Sequence, residues 1–183
     1  MRCLIRFDRL LVAGIVVVAA ALSVAQVAQA GPPEPSVPSR IEVPDGNKLF
    51  LVGHAVGVQI YSCNATPSGF VWGFVAPRAN LYNDNGKLVV THFGGPTWQA
   101  KDGSRVVGQL VDGVTVDPTA IPWLLLSDKS TAAGPDGDRL AHTTYIQRIA
   151  TTDGLAPPAA DCNATTAGDQ VEVAYTADYF FWK

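Results

Sequence analysis

Three histidines, His54, His92 and His142, are the natural starting point for chemistry in this chain. A zinc site needs ligands at short, paired intervals. These histidines are far apart and match no such signature, so no metal ion is expected. His92 has the most informative neighbours, because it runs into Phe93-Gly94-Gly95-Pro96-Thr97-Trp98-Gln99. Two glycines let backbone approach a bound molecule closely. Imidazole, indole and amide together suit a mostly apolar pocket with a few orienting hydrogen bonds. As a general base, His92 needs an acid to fix its tautomer; Asp178 is the candidate, with Tyr145 assisting. The plainer alternative is a strand-end histidine bonded to a backbone carbonyl beside a Gly-Gly-Pro turn.

The aromatic residues add a second signal. Trp72, Trp98, Trp123 and Tyr145 join His92 and Gln99 as the expected ligand-binding set, since a buried indole needs a partner for its N–H and so favours a cavity mouth. An aromatic core is the competing reading. His54 shares a face with Phe50 and Val56, and His142 with Leu140 and Ile146; both read as structural or rim residues. Asp102-Gly103-Ser104 invites a Ser-His-Asp triad with His92. Asp-Gly is already explained by the positive φ of a tight hairpin, and no Gly-x-Ser-x-Gly elbow exposes a serine.

The compartment follows from the first 30 residues. Arg2, Arg6 and Arg9 form a basic start, Leu10 to Leu22 is an apolar run, and Ala28-Gln29-Ala30 is a small-x-small cleavage site. That is the pattern of a secretory signal, and it predicts a secreted protein, extracellular or periplasmic. The apolar run is too short to span a bilayer, which takes about 20 residues. Cleavage removes three arginines and Asp8 and takes the net charge from −3 to −5. An acidic chain with no basic run excludes nucleic acid as a partner and a stable anchor on anionic lipid. Two cysteines remain, Cys63 and Cys162, without Cys-x-x-Cys spacing, and in an exported chain they read as one disulfide. Each opens a Cys-Asn-Ala-Thr string, so Asn64 and Asn163 are glycosylation sequons.

Residues 31–47 hold Pro32, Pro33, Pro35, Pro38 and Pro44 and read as an extended leader before a domain at 48–183. From Leu49 onward the alternation has period two. In 49–62 one face carries Phe50, Val52, Val56, Val58 and Ile60, and Gly53 and Gly57 mark an expected bend or bulge. Phe70, Trp72 and Phe74 share a face. Asn83-Asp84-Asn85-Gly86 and Lys101-Asp102-Gly103-Ser104 are hairpin signals. Ile121 to Leu126 fits a short strand or a helical turn, 127–138 reads as a polar loop, and Leu140 to Ile149 as a strand. Val171 to Phe181 is the cleanest amphipathic strand. No convincing helical stripe with caps interrupts the series, so the fold class is all-β: a single-domain antiparallel barrel or sandwich.

Several ordered strings carry a resemblance. They are Gly57-Val58-Gln59-Ile60-Tyr61-Ser62-Cys63, Phe74-Val75-Ala76-Pro77, Thr91-His92-Phe93-Gly94-Gly95-Pro96-Thr97-Trp98, Ile121-Pro122-Trp123-Leu124-Leu125-Leu126, Thr144-Tyr145-Ile146-Gln147-Arg148 and Tyr175-Thr176-Ala177-Asp178-Tyr179-Phe180-Phe181. On these strings the chain resembles the secreted bacterial and fungal family DUF3455, a domain of unknown function, over roughly residues 45–183. The resemblance implies a secreted all-β domain and no particular activity. No Gly-x-Gly-x-x-Gly follows a strand, so no nicotinamide or other cofactor is expected. Three functions stay open: a module binding a small molecule or glycan near His92 and Trp98, a small cofactor-free hydrolase or isomerase using His92, and a surface-interaction protein without a pocket. Oligomeric state is left open.

Overall fold

The computed structural model describes residues 31–183, so the expected export signal lies outside the described residues. Eight strands follow one another: β1 (Leu49–Thr66), β2 (Gly69–Tyr82), β3 (Leu88–Phe93), β4 (Thr97–Ala100), β5 (Arg105–Val114), β6 (Trp123–Ala132), β7 (Tyr145–Asp153) and β8 (Gln170–Trp182). Each pairs antiparallel with the next, and β8 returns to β1 to close a barrel. The described residues contain no α-helix, only 3-10 turns at Ser39–Ile41 and Ala159–Asp161. Of the two all-β forms expected, the chain adopts the barrel.

Both expected hairpins form, and their turn chemistry is visible. Between β2 and β3 the Asn83 side-chain oxygen accepts from the N–H groups of Asn85 and Lys87, and Gly86 takes φ +70°. Between β4 and β5 the Asp102 carboxylate accepts from the Ser104 N–H and hydroxyl. Three boundaries differ from the sequence reading. The run 121–126 is strand from Trp123 onward, and β6 continues to Ala132 through the segment read as polar loop. Asp128 to Thr131 pair with β5 yet are exposed in succession, so the polarity there marks a stretch of ladder with water on both faces. β7 begins at Tyr145 rather than Leu140, and Leu140 is a fully buried turn residue.

A further difference is the bulge. Pairing runs Ile60 to Ala76 and then Tyr61 to Phe74, which leaves Val75 as the extra residue on β2. The irregularity thus sits in the partner strand and not at Gly53 or Gly57. Gly57 has another reason to be glycine, because a Cβ there would lie 2.3 Å from the Arg78 carbonyl oxygen of β2. The bulge brings both Phe74 and Val75 to the barrel mouth.

Two apolar clusters flank the wall. The inner one fills the barrel with Leu51, Leu81, Val90, Trp98, Val106, Leu126, Ile146 and Phe181. The outer one joins Leu49, Leu125, Ile149, Phe180 and Trp182 to Ile41 of the Pro-rich segment. Ile41 is fully buried, and its carbonyl accepts from the Gln147 amide at 2.7 Å. The Gln147 oxygen in turn accepts from the Trp182 indole at 3.0 Å. Arg40 clamps Asp112 through two nitrogens at 2.7 and 3.0 Å. The segment before β1 is therefore a strap across the outer wall. The Cys63–Cys162 disulfide forms, with Cα atoms 5.3 Å apart, and ties the long β7–β8 connection to β1.

Candidate functional site

Strand alternation decides which side chains enter the barrel, and at one end they leave a cavity of about 390 Å³. β3 contributes His92 and β4 contributes Trp98, which lie directly opposite each other in the ladder. Their rings stack, with centroids 4.2 Å apart and planes at 7°. Tyr179 of β8 meets both edge-on, at 5.3 and 5.6 Å. Gly108 of β5 makes this packing feasible, since a Cβ there would come within 2.9 Å of the Trp98 ring. In the turn between β3 and β4, Gly95 takes φ +92°, a conformation that favours glycine.

His92 is almost wholly buried, and that burial pushes its pKa down to about 3. It is neutral at physiological pH. Its Nδ1–H donates to the Thr97 carbonyl at 2.9 Å, which leaves Nε2 as the ring's lone-pair nitrogen. Burial also raises the pKa of Tyr61, Tyr175 and Tyr179, so their hydroxyls keep their protons. The Tyr175 and Tyr179 hydroxyls share a hydrogen bond of 3.2 Å.

The one charge on the cavity wall is Arg148 of β7. Its Nη2 and Nε donate to the Pro122 carbonyl at 2.8 and 3.2 Å. Among the described residues no carboxylate forms an ion pair with it. Gln59 of β1 lines the same space at 2% exposure, and its Nε2 has no hydrogen-bond partner. The buried Trp98 Nε1 has none either. Neither Gln59 nor Arg148 was an expected site residue. The available signal was parity: Gln59 continues the inward series Leu51, Gly53 and Ala55, and Arg148 stands two residues after the inward Ile146.

The residues expected from sequence separate sharply. His92 and Trp98 meet in the cavity. Gln99 points away from it, with its amide 3.5 Å from the Gly103 carbonyl. Trp72 lies beyond the cavity on β2 and donates to the Pro158 carbonyl at 3.2 Å. Trp123 and Tyr145 pack into the outer cluster beneath the strap. Asp178 faces outward, where its carboxylate holds His54 Nδ1 at 2.6 Å, while Asp84 holds His54 Nε2 at 2.8 Å. The acid–base pair of His92 and Asp178 is not assembled, because the two side chains occupy opposite sides of the wall. Strand parity explains it: Asp178 alternates with the inward Ala177 and Tyr179. His142 is exposed, 3.5 Å from Asp138. Ser104 is committed to Asp102 and to the Leu140 N–H at the far end of the barrel. Among the described residues no cluster of three or more His, Cys, Asp or Glu side chains could hold a metal ion.

Residues 44–183 match the model of a family described as a protein of unknown function, DUF3455. The chain belongs to that family. No curated protein and no solved structure matched. The DUF3455 region begins at Pro44, within the strap, and takes in every strand, both cysteines and all of the cavity wall.

Proposed function

We propose that this DUF3455 protein is an exported binding protein that holds one small molecule in the mouth of its barrel. The observation that carries the reading is the cavity itself: about 390 Å³, aromatic at its base, and furnished with polar groups that the protein leaves unpaired. Eight strands give an interior just wide enough either to fill with side chains or to hold one small ligand, and ligand pockets begin at about 300 Å³. The rim is apolar and open: Phe74, Val75 and Leu110 line it and are each about half exposed. That rim favours a partly hydrophobic molecule over a glycan. Export is supported by the N-terminal pattern and by the disulfide, which persists in oxidising compartments. His92 acts in this reading as a neutral wall, since a group with a pKa of about 3 and no carboxylate partner is a poor general base.

The test is native mass spectrometry of protein taken from its own culture fluid, with thermal melting against a small-molecule panel. A bound species, or a ligand that raises the melting temperature in wild type and not in Trp98→Ala, is the expected result. An apo mass with no stabilising compound in the panel would overturn the reading.

A further inference from the structure

Resting on that reading, we infer that the ligand is a small organic acid, with its carboxylate against Arg148 and its hydrocarbon body directed toward the mouth. Buried or half-buried guanidinium groups are ordinarily matched by an anion, and Arg148 has only neutral partners, the Tyr179 hydroxyl beside it and the Pro122 carbonyl. A guanidinium offers five N–H donors in a planar fork, and two are used there. No carboxylate lines the cavity, His92 is uncharged, and the tyrosines keep their protons, so the wall carries one uncompensated positive charge.

A free donor on the same cavity wall sharpens the match. Gln59 presents an unpartnered Nε2 from a side chain that is 2% exposed. Gln59 and Arg148 line the same cavity, Gln59 opposite Pro77 in the β1–β2 ladder and Arg148 opposite Tyr179 in the β7–β8 ladder. A cation in a fork geometry, with a free amide N–H on the same cavity wall, suits the two oxygens of a carboxylate. The exposed rim has no polar function to offer, because Phe74, Val75 and Leu110 make it. An inorganic anion would leave that rim without a partner, and a neutral hydrocarbon would leave Arg148 without one. An amphipathic monocarboxylate satisfies both.

Matched probes separate the charge from the body. Calorimetric titration would compare 3-phenylpropionate with 3-phenylpropanol, and octanoate with 1-octanol, with inorganic phosphate as the anion lacking a body. The expected result is that each acid binds wild-type protein at least tenfold more tightly than its alcohol, and that phosphate binds more weakly than either acid. In Arg148→Gln the acid should lose that advantage while the alcohol is unchanged. Gln59→Glu supplies an internal carboxylate and should abolish acid binding in a protein that keeps Arg148. Equal or tighter binding of the alcohols by wild type would overturn the inference and leave the binding reading standing. Phosphate binding more tightly than the acids would also overturn it. Failure of every probe, together with an apo mass, would remove both.

Discussion

His92 and His54 stand two strands apart on the same barrel, one facing in and the other out, and their surroundings impose opposite charge states. His92 is enclosed by the Trp98 and Tyr179 rings, with the Arg148 cation nearby, and desolvation holds it neutral. His54 lies on the outer wall with Asp84 and Asp178 on its two nitrogens, and those hydrogen bonds raise its pKa. The comparison teaches that the carboxylates of this protein are spent outside. The interior is left with one cation, and it is the interior that has space for a ligand.

The largest effect expected from this contrast is on packing. Trp98→Ala should cost about 3–5 kcal/mol, as for other buried tryptophans, measured by denaturant unfolding at pH 7. A loss under about 1 kcal/mol would show that the inner stack is not a close-packed structure, and the comparison would collapse. Next comes proton linkage. His92 has a folded pKa of about 3 against an ordinary 6.5, so below pH 6.5 the unfolded chain binds a proton that the folded chain refuses. Its contribution is therefore present above pH 6.5 and lost as pH falls, by about 3 kcal/mol between pH 7 and pH 4. Stability measured against pH should show that much less acid sensitivity in His92→Phe than in wild type. Identical acid limbs would mean that His92 is not desolvated in the way its burial implies.

The outer histidine should give a smaller effect of opposite sign. Because its folded pKa is raised, the stability it contributes is full below about pH 6.5 and disappears as pH rises through the folded value. The group is partly exposed, so screening limits the effect of His54→Gln to under about 1 kcal/mol, and added salt should shrink it further. Imidazole NMR titration reads the pair directly. The His54 resonance should titrate above 6.5, and the His92 resonance should stay neutral down to pH 4. The reverse order would break the comparison at its base.

Much of the barrel is written in local pattern. The Asn83–Gly86 and Lys101–Ser104 turns, the alternation from Val171 to Phe181 and the cysteine pair each depend on neighbours in sequence or on chemistry that permits one answer. Inward and outward faces were harder. In β1 the bulkier series of Phe50, Val52, Val56 and Val58 attracts attention, yet the inward side carries the small Gly53, Ala55 and Gly57, because strands closing into a narrow barrel need room. Tyr145 and Trp123 look like pocket residues until the strap is seen to provide a second apolar surface. Arg148 was passed over because a charge in an alternating strand ordinarily marks the solvent face. Parity with Ile146 puts it inside, but that Ile146 itself faces inward follows from β7 pairing with both β6 and β8, which is a long-range fact.

The seam between the first and last strands has a kinetic meaning. The backbones of Lys48 and Lys183 exchange hydrogen bonds at 2.7 and 3.0 Å, so the ladder runs to the final residue. Hairpins such as β2–β3 and β4–β5 close over short loops, but the β1–β8 union must bring together the two ends of the domain, and such non-local pairings are slow to form. Tyr175 and Tyr179 belong to that last strand. Until it docks, His92 and Trp98 lack their edge-on neighbour and Arg148 faces open water. The cavity is thus complete only once β8 has docked, and a chain cut short before β8 would lack the Tyr179 part of its wall.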